Sequence, residues 1–507
     1  MKTYKNMYRT LLIITFICLI KSVCAEIKLP QILTDNMVLQ RETDVNLWGS
    51  ATPNKQVKVI TSWNEAVYYT KSDSKGKWLV KVSTPQAGGP YDILLDDGSK
   101  LKLKNILIGD VWLCTGQSNA EMPMAGFFNQ PVNNSLEEIV ASSKYPIRFV
   151  TLKRNPSETV QTDCPTGGWL VTSAENTPKI SASAYFFAKQ MTESLGIPIG
   201  LISTNRGASR MEAWMSPQAV SQVENVPIEK YAKSKSITEH PYKHYNGMIA
   251  PITNYTAKGF IWIHGSANRF EWYQYADLMT NLIKQWRTEW KNDNMPFVIV
   301  QKTHFSFQGE DDDCKHVLVM EEQLKATSRL PNVSIVPTSD VVDYTYIHQS
   351  QKDVIGQRIA YTVLKNYYGY SSLHVDPPLI DAVKYEGGKA IVSFKNATFG
   401  LYPSHEAVLG FEIAGEDRVF YPAHAKIITI YPNETNFPKD KEENQWFFDL
   451  HDHYLEVAIE LASEKVLSPI AVRYGFRNKI EMNLTNIFGI PAYPFRTDDW
   501  IERKSND

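Results

Sequence analysis

From Glu26 to Asn105 apolar and polar residues alternate in short stretches such as Val57-Lys58-Val59 and Trp78-Leu79-Val80-Lys81-Val82. These are punctuated by Lys75-Gly76, Gly88-Gly89-Pro90 and Asp97-Gly98. Period-two alternation between turn residues predicts a small antiparallel β domain over 26–105. The pattern changes at Ile106, where an apolar run reaches Cys114 without a polar break except Gly109-Asp110, as in a strand buried on both faces. Ala184 to Leu195 then has helical periodicity and stops at Gly196, before the apolar Ile199 to Ile202. Tyr275 to Trp290 places Leu278, Leu282 and Trp286 four apart on one face, and Pro296 opens the strand-like Phe297-Val298-Ile299-Val300. Val354, Ile355, Ile359, Val363 and Leu364 predict one more amphipathic helix, ending at Gly369. Helix and strand in alternation imply an α/β unit, a parallel sheet flanked by helices, over 106–370.

After Pro377-Pro378 the β punctuation returns, with Ala390 to Phe394, Glu456 to Ile459 and Ile470 to Tyr474 as strands. A third domain, a β-sandwich over 371–507, is the economical reading. No internal repeat or low-complexity tract interrupts this order.

Composition narrows the function classes. Residues 1–25 carry Lys2, Lys5, Arg9 and Lys21 and no acid around the apolar Leu11 to Ile20, followed by Val23-Cys24-Ala25, which reads as a cleavable signal peptide and hence an exported, periplasmic or extracellular protein. Val23 before Cys24 fits a lipid-anchoring site poorly. Losing four of 53 basic residues leaves 49 against 55 acids, a net charge near −6, which argues against a nucleic-acid partner. No later apolar run is long enough to span a bilayer. Cys114, Cys164 and Cys314 are too far apart for a metal-ligand spacing and imply no disulfide scaffold. Glu310-Asp311-Asp312-Asp313 reads as a solvated loop, since no regular calcium-loop spacing follows.

Candidate chemistry begins where the apolar run ends. Thr115-Gly116-Gln117-Ser118-Asn119 delivers a hydroxyl at the carboxyl end of a buried strand, where open α/β sheets bind ligands. Gly, Ser and Asn are also ordinary turn residues, so the four residues Gly116 to Asn119 alone leave a plain turn and a nucleophile equally open.

Three further segments, in order, resemble the sialate O-acetylesterase family of SGNH-type carbohydrate esterases. Gly207-Ala208-Ser209-Arg210-Met211-Glu212-Ala213-Trp214 stands where the family has Gly-Gly-Thr, a spacer and Trp. Trp262-Ile263-His264-Gly265-Ser266-Ala267-Asn268, preceded by Tyr245 to Pro251, is similar to Trp-Tyr-Gln-Gly-Glu-Ser-Asn. Ile347-His348, with Lys352, Gly356 and Arg358 behind it, stands where the family reads Ile-His-Pro and a helix. Asn36 to Arg41 with Trp48-Gly49, and Pro494 to Trp500, resemble the family's two ends. Three polar positions depart from the pattern: His264 for Gln, Ser266 for Glu, and Tyr346 for an Asp two residues before the His.

The resemblance implies an SGNH-hydrolase-like α/β fold with β domains at both ends, and a carbohydrate esterase that needs no metal or organic cofactor. Its expected substrate is an acetylated glycan, sialic acid or another. Ser118 is the implied nucleophile and His348 its base. With Tyr346 in place of the acid, Asp343, Asp340 or a backbone carbonyl is left to orient the imidazole, Asp343 being closer along the chain. The amides of Ser118 and Gly207, with His264 and Asn268, are candidate oxyanion donors, although His264 could instead pack beside Trp262. Gln117, Asn119 and Arg210 are candidate substrate contacts, the Arg for a carboxylate or else for a surface salt bridge. Trp214 and Trp262 are expected to fill core, whereas Trp272 either packs or stacks on a sugar. The rival reading is a glycan-binding protein on the same fold, its catalysis weakened by the changes at 264, 266 and 346.

Overall fold

The computed structural model describes residues 26–307, 313–343, 346–430 and 456–501; the expected signal peptide and Glu310, Asp311 and Asp312 lie outside them. Its spine is β1 (Lys100–Gly116), 17 residues long. Residues 100–108 of β1 pair antiparallel with Gly88–Asp96, which continues to Gln56–Thr61 and Val67–Lys71. Val38–Gln40 joins parallel at Leu107 to Gly109. Beyond Asp110 the same strand becomes the middle of a parallel sheet. No break falls at 105/106, where the hydrophobic pattern places a domain boundary. What changes there is burial: the first half of β1 is partly exposed, and from Leu107 to Gly116 every residue is buried.

The parallel sheet adds β2 (Ile147–Thr151), β3 (Ile199–Asn205), β4 (Gly259–Ile263), β5 (Phe297–Val300) and β6 (Val333–Val336), in the spatial order β6-β5-β4-β1-β3-β2. The expected strands at 199–202 and 297–300 are therefore present and extended by a few residues at most. Along β1, Val111 and Leu113 join one core and Trp112 and Cys114 the other, so period-two alternation in a sheet covered on both faces gives the unbroken apolar run. After α1 (Ser118–Glu121), α2 (Ala182–Leu195) and α5 (Lys352–Tyr367) cover the Trp112 face. The opposite face packs on α3 (Tyr275–Glu289), whose Leu278, Leu282 and Trp286 are fully buried; α4 (Lys315–Thr327) follows β5. Gly196 closes α2 at φ +68°, the left-handed C-cap that glycine tolerates without penalty.

From β1 the chain moves to β2 on one side, and from β4 to β5 on the other. Between β1 and β4 the connections diverge, which makes the carboxyl ends of those two strands the switch point of the sheet. After α5, Leu379–Glu386, Lys389–Lys395, Glu456–Ala462 and His424–Ile430 form one antiparallel sheet. Phe411–Ala414, Phe420–Pro422, Ala471–Tyr474 and Phe495–Arg496 form a second. Val392 and Ile459 of the first share a core with Ile413 and Val472 of the second, the packing of a sandwich.

α2 and α5 approach closely at Gly356, where a Cβ would lie 2.5 Å from the Phe186 Cβ and 2.7 Å from the Phe187 amide nitrogen. Gly356→Ala is therefore expected to cost about 1–3 kcal/mol through overpacking, outweighing the gain in helix propensity. A lowered Tm in thermal unfolding followed by circular dichroism checks this; an unchanged or raised Tm would contradict the packing.

Candidate active site

Gly116 ends β1 at φ +150°, and a Cβ there would sit 2.1 Å from the Ile263 carbonyl oxygen. Glycine lets the strand turn against β4, whose Ile263 carbonyl accepts the Gln117 amide at 2.9 Å. The Gln117 side chain then fastens the turn on both sides: Nε2 donates to Ser209 O at 2.6 Å, and Oε1 accepts the Gly265 amide at 3.1 Å. Ser118 follows as the first residue of α1, at the wall of a cavity of about 850 Å³.

His348 reaches this serine from a loop 230 residues away, its Nε2 lying 2.7 Å from Ser118 Oγ. On the far side of the ring Nδ1 donates to Gln130 Oε1 at 2.6 Å. That acceptor fixes the tautomer with the proton on Nδ1, which leaves Nε2 free to accept the serine hydroxyl proton. Phe127 packs edge-on against the imidazole at 5.1 Å. Phe127 and Gln130 exchange backbone hydrogen bonds, so both sit on one tight loop, and the Asn133 amide ties that loop to Ser350 O.

Gln130 stands where an orienting acid is expected, and this corrects the reading of Asp343. The Asp343 carboxylate accepts the Tyr346 amide at 3.2 Å, while Asp340 makes a bidentate pair with Arg358 at 2.6 Å. The Tyr346 side chain is exposed. Nothing in the sequence around Gln130 marks it, because a lone Gln in a loop carries no periodicity or motif.

Electrostatics favour a neutral imidazole. Burial, together with the nearby Lys352 ammonium, pushes the His348 pKa down to about 4, while the Glu121 carboxylate opposes the shift. Lys352 itself is wholly buried and pushed down to about 7 by that burial. Its amine donates to Asn119 Oδ1 at 2.5 Å, and Asn119 Nδ2 donates to Ile347 O at 3.0 Å. Asn119 thus ties the serine turn to the histidine loop.

The other expected donors and contacts have different work. His264 is buried, stacked on Trp262 at 4.8 Å, and held between Ser209 O at 3.0 Å and the Tyr275 hydroxyl at 3.2 Å. Burial pushes its pKa to about 3, so the neutral ring spends its one N–H on Ser209, and the packing alternative replaces the oxyanion role. Asn268, also buried, accepts the Met211 amide and donates to Glu212. The Gly207 amide donates to Glu121 Oε2 at 2.9 Å, and Glu121 Oε1 pairs with Arg154. Of the expected oxyanion donors, the Ser118 amide alone lacks a protein acceptor among the described residues.

Gln117 and Asn119 line the cavity, and both side-chain ends of each are hydrogen-bonded to protein partners. Arg210 is neither a surface ion pair nor a free substrate anchor. It is 1% exposed, bridges Glu212 and Glu271, and lies 3.6 Å from the Tyr231 ring centroid. A charge this deep requires such partners. Trp214 and Trp262 are fully buried and meet edge to face, as expected; Trp272 is partly buried and packs against two cores. Among the described residues no group of three or more His, Cys, Asp or Glu side chains is arranged to hold a metal ion, and no helix is long and apolar enough to cross a membrane.

Comparison with known proteins agrees with this architecture. Residues 108–365 match the family described as carbohydrate esterase, sialic acid-specific acetylesterase. Sialate O-acetylesterase of Homo sapiens is 25% identical over 395 residues, covering 71% of this chain and 75% of that one. The Mus musculus enzyme is 25% identical over 411 residues, covering 68% and 74%. A carbohydrate acetylesterase from Xanthomonas citri superposes with a TM-score of 0.81 at 29% identity, over 94% of this chain and 100% of that one. With the family match spanning just over half its residues, the chain belongs to the sialic acid-specific acetylesterase family of carbohydrate esterases and is an ester hydrolase.

Proposed function

We propose that the protein is an exported O-acetylesterase acting on sialic acid or another acetylated glycan, through a Ser118-His348-Gln130 acyl-enzyme mechanism. The observation that carries this reading is the 2.7 Å contact between Ser118 Oγ and His348 Nε2, with Gln130 holding Nδ1. Export rests on the pattern of the first 25 residues.

In the first half-reaction His348 Nε2 takes the Ser118 proton as Oγ attacks the acetyl carbonyl. The tetrahedral oxyanion is met by the Ser118 amide, and its collapse breaks the ester C–O bond while His348 returns the proton to the departing sugar oxygen. Water then attacks the acetyl-Ser118 ester with the same histidine as base, releasing acetate and restoring the hydroxyl. Gln130 holds the productive tautomer but brings no negative charge to the imidazolium. That division separates orientation from charge stabilisation, which a carboxylate supplies together.

The neutral partner and the low pKa of His348 are also what a weakened, glycan-binding relative would have. Acetate release decides between the two. Ser118→Ala and His348→Ala are each expected to lower kcat by roughly 10³-fold or more on acetylated sialosides or xylan, and Gln130→Ala by less than the ~10⁴-fold seen when a triad acid is lost. Wild type that releases no more acetate than Ser118→Ala, yet still binds the glycan, would leave the binding reading standing.

The base must be neutral to act, and a pKa of about 4 keeps it neutral as pH falls from 7 to 5. The profile of kcat/KM against pH is therefore expected to stay flat over that range and drop only below about 4–5. In Gln130→Glu the added carboxylate favours the imidazolium, so the acid limb should move to higher pH. An acid limb near 6.5 in the wild type would contradict the assignment.

A further inference from the structure

The catalytic cavity is much larger than an acetyl group needs, and two phenylalanines line it. At about 850 Å³ it stands near the top of the ~300–1,000 Å³ range of small-molecule sites, with room for more than one sugar ring. Ser118, Lys352, Arg269, Phe270 and Phe307 all line it. Phe270 and Phe307 are each 43% exposed, whereas the aromatic residues beneath the sheet are almost all buried. Two large rings left open to water in the wall of a functional cavity mark a binding surface rather than scattered surface apolarity.

Both rings are held in place. The Arg269 guanidinium lies 4.3 Å from the Phe270 centroid and 5.5 Å from that of Phe307, and the Lys315 ammonium lies 5.1 Å from Phe270. The buried Phe305 supports Phe307 edge to face at 4.9 Å. Rings fixed in this way lose little freedom when a ligand stacks on them, which is the requirement for binding the apolar C–H face of a sugar.

Resting on the esterase reading above, we propose that Phe270 and Phe307 form a sugar-stacking subsite in the wall of the catalytic cavity, and that the preferred substrate is an acetylated oligosaccharide rather than a single free sugar. The acetylated residue sits at Ser118, and a neighbouring residue of the same chain stacks on the phenylalanines. The subsite contributes to KM and not to the chemical step, since a phenyl ring carries no group that could take or give the proton.

The test compares wild type, the Phe270→Ala/Phe307→Ala double variant and Phe270→Trp on three esters: 4-nitrophenyl acetate, an acetylated xylose, and the matching acetylated xylotetraose. The wild type is expected to favour the tetrasaccharide over the monosaccharide in kcat/KM. The double variant should lose roughly tenfold or more on the tetrasaccharide through KM, with 4-nitrophenyl acetate turnover unchanged and Phe270→Trp retaining the preference. Equal wild-type rates on mono- and tetrasaccharide would overturn the proposal, and so would an equal loss by the double variant on all three esters, the signature of a structural role. A separate arm titrates deacetylated xylotetraose and sialyllactose into the full-length Ser118→Ala protein by calorimetry. Binding of either that disappears when both phenylalanines are removed supports the subsite even if no glycan is deacetylated; binding of neither, or binding unaffected by their removal, overturns it.

Discussion

At the carboxyl ends of β1 and β4 the Ile263 carbonyl accepts the Gln117 amide and leaves no room for a Cβ at position 116. The placement of Ser118 follows from this contact. With glycine at 116 the chain can leave β1 against β4 and enter α1 at once, and the two hydrogen bonds of the Gln117 side chain fix the direction in which Ser118 emerges. The switch point of the sheet lies between the same two strands, so local backbone geometry and global topology place the serine in one crevice. The histidine loop is held to that turn by Asn119 and Lys352.

The supporting shell departs from the usual division of labour in a serine hydrolase. A carboxylate behind the histidine would both select the tautomer and favour the imidazolium. Here a neutral amide selects the tautomer, and burial with Lys352 nearby disfavours the charge. The site thus keeps the Ser118–His348 contact while lowering the basicity of the imidazole. The Gly207 amide is held by Glu121, which is itself paired to Arg154, so the carboxylate occupies a donor that an oxyanion would otherwise use.

Much of the fold was legible because it follows from periodicity. The helices at 182–195, 275–289 and 352–367, and the strands at 199–205 and 297–300, lie within a few residues of where apolar spacing and Gly or Pro punctuation put them. The break at 105/106 was a change in burial along one continuous strand, which hydrophobicity alone cannot tell from a domain boundary. In the site, Ser118 and His348 came from motifs. Gln130 was invisible because an orienting acceptor needs only an oxygen at the right place, and a Gln 218 residues away in sequence gives no pattern. Asp343 is the nearer acid along the chain, but its carboxylate accepts the Tyr346 amide of its own loop. Arg210 and Gln117 read as substrate contacts, and Asn268 as an oxyanion donor, because polar residues in motifs beside a serine turn often are. Burial has instead committed them to internal partners, and sequence alone does not reveal burial at that level.

The central claim is that Ser118 is an activated nucleophile whose reactivity depends on His348. Labelling the protein with a fluorophosphonate, followed by peptide mapping in the mass spectrometer, tests it without any assumption about the sugar. Stoichiometric modification of Ser118 in the wild type, lost in His348→Ala at equal protein concentration, is the predicted result. No label on Ser118, or labelling that His348→Ala leaves unchanged, would contradict the account.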